Sequence, residues 1–569
     1  MKSIISSCNR LPDYAYLIFF ILLSAIVFLP SIPSGFVFDF IGWAWLYQQG
    51  TFLDALNSFE YKGIHPVLHA FSYSFFKLFG FDGFAWYLVT SVLHGLNAFV
   101  LFKFLKYLLF NFEITTPVFL AAVISVLFIL HPYNVEPVVW KACLHYLLSF
   151  FTIVLSLYLI SVNVVENSTK HYWIGILLFA TALFTLEISF ITPLLWFLTA
   201  ALINTRLSSE NKKSFLSLGI RMLLIPAFFF VGYLSLTYLK LGSAIGHYGA
   251  DKHLNFDFYK ILLNAYSYFV KHLLFARNFN FYNKPAYELL SQPFVLLVIT
   301  GFLIFLLLAA LYYFKKIPRN ILLSLHFAVL FFVSLLPVLN LFFYHLLLSE
   351  NDRYGYLASP FIIASFVLLF INIRSYLKWI PVLLYFMLSV YFFSITIDAW
   401  HKSGIITRAL VNDFSFYDKE EIIFLNTPDN YMGAIILRAV NSDQSMFNLS
   451  LETMRGKKFE GKIWEVAQYS MVDSENKFAI QSDSSNHLSI TFSKWGSWWM
   501  KNAHGAVSYE TERYKMVLND VVSYDLYIKG ELNENTAVLY HDGNKWKELS
   551  IDSIKSNKAV KLNNYKGVY

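Results

Sequence analysis

Charged residues and cysteines are both scarce in this chain of 569 residues. Only 14% of the residues are charged and 57% are hydrophobic, and a soluble protein could not hide so much apolar surface. The two cysteines, Cys8 and Cys143, lie far apart in the sequence, which argues against a disulfide framework or a zinc cluster. The composition therefore predicts an integral membrane protein.

The positive net charge of +7 does not indicate a nucleic-acid partner. Lysine and arginine collect in the cytoplasmic loops of membrane proteins, and this tendency accounts for the excess. The first apolar run is longer than the hydrophobic region of a typical signal peptide and lacks a convincing cleavage site, so we expect it to stay as an anchor. Membrane lipid is the partner that the composition predicts.

Charge-free apolar runs predict about eleven membrane spans, since a helix needs about 20 apolar residues to cross a bilayer. The chain is thus expected to be a polytopic α-helical membrane protein. The runs lie near residues 14–31, 84–102, 115–131, 142–163, 171–186, 188–205, 222–239, 293–314, 321–345, 356–373 and 379–397.

The segment 258–275 is also apolar, but a polar stripe interrupts it. Lys260, Asn264, Ser267 and Lys271 recur at helical spacing along this segment. Such a stripe predicts an amphipathic helix that lies in the membrane interface and does not cross the bilayer.

The distribution of polar residues predicts two domains. Residues 1–410 hold the apolar runs, whereas residues 411–569 hold many acids, amides and serines and no run of span length. We expect 411–569 to be a soluble domain of mixed α/β or mainly β structure, because several of its segments favour strands. Lysine and arginine in alternate short loops place the N-terminus in the cytoplasm, and an odd number of spans then places this domain outside the cytoplasm.

The same topology makes residues 32–83 the first outer loop, in a multi-pass protein that we expect in a bacterial inner (plasma) membrane. Four groups of polar residues then fall on the outer side, where ionisable residues near the membrane are expensive and indicate function. Such a convergence of charges at one face predicts a functional site. The members of these groups are Asp39, His131, Glu136, Trp140, Lys141, Glu187, Glu350, Asp352, Arg353 and Tyr354.

Each of these positions also has an ordinary interpretation. Asp39 could end a helix at the water boundary, Glu187 could be an exposed carboxylate in a turn, and Arg353 could contact lipid head groups. His65 and His69 are four residues apart and could share a helix face that binds a metal. No third ligand is evident, so packing is the favoured interpretation of the two histidines.

The string HPYNVEPVVWKACLHYLLSF at residues 131–150 resembles a recurring pattern of the GT-C glycosyltransferase superfamily. The nearest branch is that of the transmembrane O-mannosyltransferases with tetratricopeptide repeats and their bacterial relatives. No such repeat follows residue 400 here. The matching positions are His131, Pro132, Glu136, Val138, Trp140, Leu147 and Leu148.

Three further segments resemble the same family in order, so that the similarity covers about residues 15–400. Residues 83–102 resemble its second span, with His94 and Asn97, and residues 182–195 resemble its Ser-Lys-Glu segment, with Glu187. Residues 335–360 resemble its Glu-Arg-Tyr-x-Tyr-Leu-x-Ser segment. The matching positions there include Pro337, Asn340, Arg353, Tyr354 and Tyr356.

The resemblance implies a GT-C-like fold and a hexosyl or pentosyl transferase. Its donor would be a sugar on a polyprenyl phosphate, and the reaction would be an inverting displacement at the anomeric carbon. Asp39 is then the expected general base, and Glu136 would orient the acceptor or a basic partner. Arg353 and Lys141 would neutralise the leaving phosphate.

The remaining expected substrate contacts are His65, His131, Trp140, Glu187 and Tyr354, with the aromatic rings suited to sugar faces or to the prenyl chain. The acceptor is left open among protein, lipid and glycan. No metal ligand is assigned, although the resemblance leaves a divalent metal open as a cofactor.

A membrane transporter or lipid flippase without transferase activity is the alternative. Such a protein should carry ionisable residues near mid-span and inverted repeats with broken helices. The acids of this sequence lie instead at span ends on one side, which favours the enzyme. An inactive relative that acts as a scaffold is a third, weaker interpretation.

Overall fold

The structure is a computed structural model. The predicted span 293–314 lies outside the residues that the structure describes. The described residues are 11–57, 64–242, 257–275, 317–341, 349–371, 376–437, 445–466, 468–471, 478–484, 486–492, 498–499, 508–519, 523–541, 545–550 and 560–561, with isolated residues between 292 and 301.

Helices dominate the chain as far as Asn412. Within the described residues, seven helical segments are long and apolar enough to cross a membrane, or eight if one bent pair counts as a span. The α-helices are Asp13–Phe28, Asp39–Gln49, Phe52–Leu56, Pro66–Phe79, Gly83–Asn111, Pro117–Ile129, Val135–Val139, Leu144–Glu166, Thr169–Leu183, Thr192–Asn204, Phe215–Gly219, Ile225–Leu241, Phe258–Leu274, Arg319–Leu335, Ser359–Phe370 and Trp379–Asn412.

These helices are those of a multi-pass membrane protein, but the count of about eleven spans is not confirmed. The predicted spans 171–186 and 356–373 fall on the helices Thr169–Leu183 and Ser359–Phe370, with 15 and 12 residues. Both helices are shorter than the ~20 residues that a bilayer needs. Hydropathy marked their positions correctly and overestimated their lengths.

The predicted span 115–131 continues into a bent helix pair. The segments Pro117–Ile129 and Pro132–Val139 meet at an angle of 61°. Proline disfavours helical geometry in the residue before it, so His131 adopts an extended conformation with ψ 126° and its side chain caps the next turn. The bend places the following residues at the end of the helix bundle.

The polar stripe on helix Phe258–Leu274 faces the protein at three of its four positions, Asn264, Ser267 and Lys271, contrary to the expectation of an interfacial face. Asn264 Nδ2 donates to the carbonyl of Leu339 at 2.9 Å. Lys271 Nζ pairs with Asp352 at 2.7 Å, and both side chains are fully buried. Only a partner of opposite charge makes such burial tolerable.

The chain after Asn412 contains strands, as expected for the C-terminal domain, together with the α-helix Met446–Arg455. The strands are β1 Glu421–Phe424, β2 Thr427–Tyr431, β3 Ala434–Ile435, β4 Lys462–Glu465, β5 Gln468–Met471, β6 Phe478–Ser484, β7 His487–Phe492, β8 Trp498–Trp499, β9 Ser508–Glu510, β10 Tyr514–Leu518, β11 Ser523–Ile528, β12 Thr536–His541, β13 Trp546–Glu548 and β14 Val560–Lys561.

The described strands form three sheets. One has the order β13-β12-β1-β4, in which β1 is parallel to both neighbours. The largest is antiparallel, with the order β14-β6-β7-β11-β10-β9, and β7 and β11 alternate buried and exposed side chains. The third has the order β3-β2-β5-β8. The alternation shows a sheet with one face on a core, and the parallel pairs make the region mixed α/β.

The C-terminal region packs against the first predicted outer loop. Trp45 Nε1 donates to Glu452 at 3.1 Å, and Gln48 Nε2 donates to the carbonyl of Thr453 at 2.9 Å. Trp45 and Gln48 belong to the helix that Asp39 begins. The C-terminal region therefore lies at the same end of the helix bundle as Asp39.

Removing one partner of the buried pair Lys271–Asp352 should destabilise the protein. We expect Lys271→Met to cost about 3–5 kcal/mol, because it leaves the Asp352 carboxylate buried without its cation. The double variant Lys271→Met with Asp352→Leu should recover much of this loss. Thermal unfolding in detergent measures both effects.

Lys260→Met is the matched control on the same helix. Its ammonium is 52% exposed and lies 3.6 Å from Asp257, so its removal should change stability by less than about 1 kcal/mol. Equal losses in Lys260→Met and Lys271→Met would contradict a stabilising role for the buried pair.

Candidate functional site

The start of the first outer loop is clamped onto the segment after the helix bend. Gly35 has φ +87°, and a Cβ there would lie 1.9 Å from the carbonyl oxygen of Val139, so only glycine allows this approach. The backbone N–H of Lys141 donates to the carbonyl of Gly35 at 3.2 Å. Trp140 Nε1 donates to the carbonyl of Val37, also at 3.2 Å. Two motifs about 100 residues apart thereby become neighbours.

Asp39 begins helix Asp39–Gln49 directly after a strained residue. Phe38 has φ 51° and ψ −117°, a conformation that residues other than glycine avoid and that costs on the order of 1–3 kcal/mol. Its ring centroid lies 6.4 Å from that of Trp140. Asp39 is half-buried at the helix N-terminus, where the helix dipole favours a negative charge. The backbone conformation of Phe38 sets the direction in which the Asp39 side chain leaves the backbone.

Glu136 and Arg353 form a two-point ion pair. Arg353 Nη1 donates to Glu136 Oε1 at 2.6 Å, and the backbone N–H of Arg353 donates to Oε2 at 2.7 Å. Glu136 is fully buried, and each of its carboxylate oxygens accepts a hydrogen bond from Arg353. Of the two roles expected for Glu136, orienting a basic partner is the one that this geometry fits.

Aromatic rings hold the guanidinium of Arg353. Its Cζ lies 4.9 Å from the ring centroid of Trp140 and 4.6 Å from that of Tyr354. Nη2 also donates to the Tyr354 hydroxyl at 3.1 Å. Cation–π contacts of this kind are stronger away from water, and the Arg353 side chain is only 16% exposed. The guanidinium is therefore fixed in place before any ligand arrives.

Other residues of the family-like segments also meet inside the bundle. His94 Nδ1 lies 2.6 Å from the Tyr356 hydroxyl, and Asn97 Nδ2 donates to the same hydroxyl at 3.1 Å. His94 and Asn97 belong to helix Gly83–Asn111, and Tyr356 follows the turn that carries Arg353. These hydrogen bonds connect the turn to the bundle core.

His131 has contacts that stabilise the fold. Its Nδ1 accepts from the backbone N–H of Tyr133 at 3.3 Å, and its Nε2 lies 3.4 Å from the carbonyl oxygen of His272. The side chain is fully buried. These contacts cap a turn and attach helix Phe258–Leu274 to it. They give His131 a structural role that is independent of its predicted role in substrate binding.

His65 and Glu187 form a second polar pair. His65 Nε2 lies 3.0 Å from both carboxylate oxygens of Glu187. Burial lowers the pKa of His65, but the charge and hydrogen bond of Glu187 outweigh it, and the pKa stands above its ordinary value. The ring of His145 stacks on that of His65 with centroids 6.4 Å apart. Three residues from distant segments thus make one cluster.

His69 does not join His65 in a metal site. It lies on helix Pro66–Phe79, where its Nδ1 is 2.8 Å from the Tyr47 hydroxyl and its ring packs on Trp43. Burial, together with the charge of His65, lowers the pKa of His69 to about 3, so the ring is neutral. Within the described residues, no group of three or more His, Cys, Asp or Glu side chains is placed to hold a metal ion.

Most of the expected site residues fall into two neighbouring groups. One contains Asp39, Glu136, Trp140, Lys141, Arg353 and Tyr354; the other contains His65 and Glu187. His145 links the groups, since it lies within electrostatic range of Arg353, Glu187 and His65. Sequence reasoning did not place His145 or Lys271 in the site, and it assigned Lys271 only to the polar stripe of an interfacial helix. The signal available for Lys271 was its position, as a lysine among other polar residues on an otherwise apolar helix.

No protein-family model matches this chain, and no curated protein matches it. The relation to the GT-C superfamily therefore rests on the motifs at 131–150 and 335–360 and on the two weaker segments. It stays a prediction after the fold and the site have been described.

The stability of the His65–Glu187 pair should decrease with rising pH. Because the pKa of His65 is raised in the folded protein, the pair's contribution is complete below the ordinary value of 6.5 and is lost as the pH rises through the raised value. We expect the thermal midpoint in detergent to fall more steeply between about pH 6 and pH 9 for the wild type than for His65→Gln.

His69→Gln is the matched control for this titration. The folded His69 ring is neutral throughout that range, but in the unfolded chain the ring takes up a proton near its ordinary pKa of 6.5. Its removal should therefore change the slope against pH only between about pH 6 and pH 7 and leave the wild-type slope above about pH 7.5. A wild-type curve parallel to that of His65→Gln would contradict the ion pair.

Proposed function

We propose that this chain is a GT-C-type glycosyltransferase that moves a sugar from a polyprenyl phosphate to a protein, lipid or glycan acceptor at the outer face of the plasma membrane. The observation that carries the proposal is the clamp between the Asp39 loop and segment 136–141. It brings a carboxylate and a preorganised guanidinium to one end of a membrane-helix bundle. A displacement that removes a proton and releases a phosphate needs these two groups.

Asp39 is the proposed general base. The acceptor oxygen attacks the anomeric carbon while its proton passes to the Asp39 carboxylate, and the bond from that carbon to the phosphate oxygen breaks. The base must lie within hydrogen-bond reach of the acceptor, so its position matters more than its basicity. The strained Phe38 and the hydrogen bonds of Trp140 and Lys141 to the loop supply that position.

Arg353 is the proposed partner of the leaving phosphate. Glu136 occupies one edge of the guanidinium, and Trp140 and Tyr354 pack on the group. An arginine presents five donors in a planar fork, of which Glu136 takes one and the Tyr354 hydroxyl another. The proposal assigns the phosphate oxygens to donors of the same fork. A donor group that is already aligned needs little reorganisation as charge grows on the phosphate.

His65 and Glu187 are assigned to the binding of substrate beside this centre. His145 supports the assignment, because it lies within electrostatic range of both this pair and Arg353. The C-terminal region contacts the helix that Asp39 begins, through Trp45 and Gln48, so it is placed to border the acceptor path.

A lipid flippase is the second candidate, and one observation favours it. The broken helix pair Pro117–Ile129 and Pro132–Val139 carries the ionisable Glu136 next to its 61° bend. Discontinuous helices of this kind form the binding sites of many transporters. The two functions differ in whether a sugar is transferred.

Sugar transfer by the full chain in proteoliposomes tests the proposal. The donors are a panel of radiolabelled polyprenyl-phosphate sugars, and Asp39→Asn should lower the transfer rate by about 100-fold or more. Asp54→Asn is the matched control, since Asp54 lies in the same loop, is exposed and only caps the short helix Phe52–Leu56. It should transfer at the wild-type rate.

Equal transfer by the wild type and Asp39→Asn would remove Asp39 as the base. Movement of the labelled lipid across the bilayer by the wild type, without transfer to any acceptor, would favour the flippase. In that case Asp39→Asn should not change the rate of movement.

A further inference from the structure

Among the described residues, two cations that lie beside the start of the first outer loop pair with no carboxylate. Lys141 is fully buried, and its Nζ has no hydrogen-bond partner in the described part of the chain. Arg408, near the end of helix Trp379–Asn412, is half-buried, and among the described residues no carboxylate pairs with it. The other buried cations of the site, Arg353 and Lys271, each have a carboxylate within 2.7 Å.

Two neighbouring residues of the first outer loop, Gly35 and Phe36, bring the cations together. The backbone N–H of Lys141 donates to the carbonyl of Gly35, and the Arg408 guanidinium lies 5.9 Å from the ring centroid of Phe36. The two charges are close enough to repel one another. Their proximity is thus built by the clamp that also positions Asp39.

Close backbone packing fixes Arg408 on this loop. A Cβ at Gly404 would lie 2.6 Å from the carbonyl oxygen of Pro33, so helix Trp379–Asn412 approaches the loop as closely as glycine allows. A Cβ at Gly83 would lie 2.9 Å from Arg408 Nη2. The guanidinium therefore lies between the loop and the start of helix Gly83–Asn111.

Such an arrangement is unfavourable unless an anion joins it. A buried charge without a partner is strongly unfavourable, and a second like charge nearby adds to the cost. Phosphate is the anion that best suits an arginine beside a lysine, because arginine supplies a two-pronged donor and lysine a point charge. Lys141 and Arg408 each lie near one end of a helical segment that is long and apolar enough to cross a membrane, and phosphate-bearing head groups border the ends of such segments.

We propose that Lys141 and Arg408 form a binding site for a phosphate group, separate from the position of Arg353. Arg408 contacts the phosphate from the accessible side, and Lys141 reaches it from within the bundle. The phosphate is that of a lipid, either a prenyl phosphate or a phospholipid. The site goes beyond the transferase proposal, because phosphate binding there requires no transfer of sugar.

Ligand-dependent stability tests the site without any activity assay. The full chain is purified in detergent, and its thermal midpoint is measured with farnesyl phosphate, phosphatidylglycerol, inorganic phosphate or uncharged farnesol. A ligand that binds only the folded protein raises the midpoint. We expect one of the lipid phosphates to raise it and farnesol not to.

Lys141→Met should stabilise the ligand-free protein but weaken the binding of the lipid phosphate. Without phosphate it should raise the thermal midpoint, because it removes an unpaired buried charge. It should also lower the affinity for the lipid phosphate by about tenfold or more. A lysine that only fills space would not produce this reversal. Arg408→Gln should weaken the same ligand, and Arg408→Lys should keep part of the binding.

Lys402→Gln is the matched control on the same helix, since Lys402 pairs with Asp398 at 2.9 Å. It should bind as the wild type does. Farnesyl phosphate as the affected probe would identify a prenyl carrier, and phosphatidylglycerol would identify a membrane lipid.

Three results would overturn the site. They are the absence of stabilisation by any phosphate probe, equal affinities in the wild type, Lys141→Met and Arg408→Gln, and an equal effect of farnesol and farnesyl phosphate. A response to inorganic phosphate alone would overturn the assignment to a lipid.

Discussion

Charge that is buried away from water must be paired, and two such pairs meet at the turn Ser349–Gly355. Glu136 holds Arg353 from one side, and Lys271 holds Asp352 from the other. The four residues come from three separate segments, so the two ion pairs fix where those segments sit relative to one another. The orientation of the guanidinium, and with it any chemistry at this end of the bundle, depends on this arrangement.

The loop that carries Asp39 is fixed by backbone contacts instead of ion pairs. Gly35 permits an approach that no side chain would allow, and Phe38 accepts a strained conformation directly before the carboxylate. Strain of this size persists only where surrounding contacts determine the backbone, and the bonds of Trp140 and Lys141 to the loop supply them. The fixed position of the Asp39 carboxylate therefore lowers local stability, as is common at functional sites.

Local pattern predicted the positions of the apolar helices and the strands after Asn412, because hydropathy and strand preference act within a few residues. It also selected Glu136 and Arg353, and it offered the orientation of a basic partner as one of two roles for Glu136 without identifying Arg353 as that partner. It could not predict pairs such as His65 with Glu187, which are 122 residues apart and meet only through tertiary packing. The inward stripe of helix Phe258–Leu274 was misread for the same reason, since a polar stripe looks alike whether water or a carboxylate faces it.

The cations at this end of the bundle have two different electrostatic environments. Arg353 is neutralised by Glu136 and aligned by aromatic rings. It is therefore suited to stabilise negative charge that develops briefly during a reaction, without binding a phosphate permanently. Lys141 and Arg408 have no such compensation among the described residues, and their favourable partner is an anion that stays. The proposed transferase would hold a charged lipid and also release a charged product, and the two kinds of cation suit these two tasks.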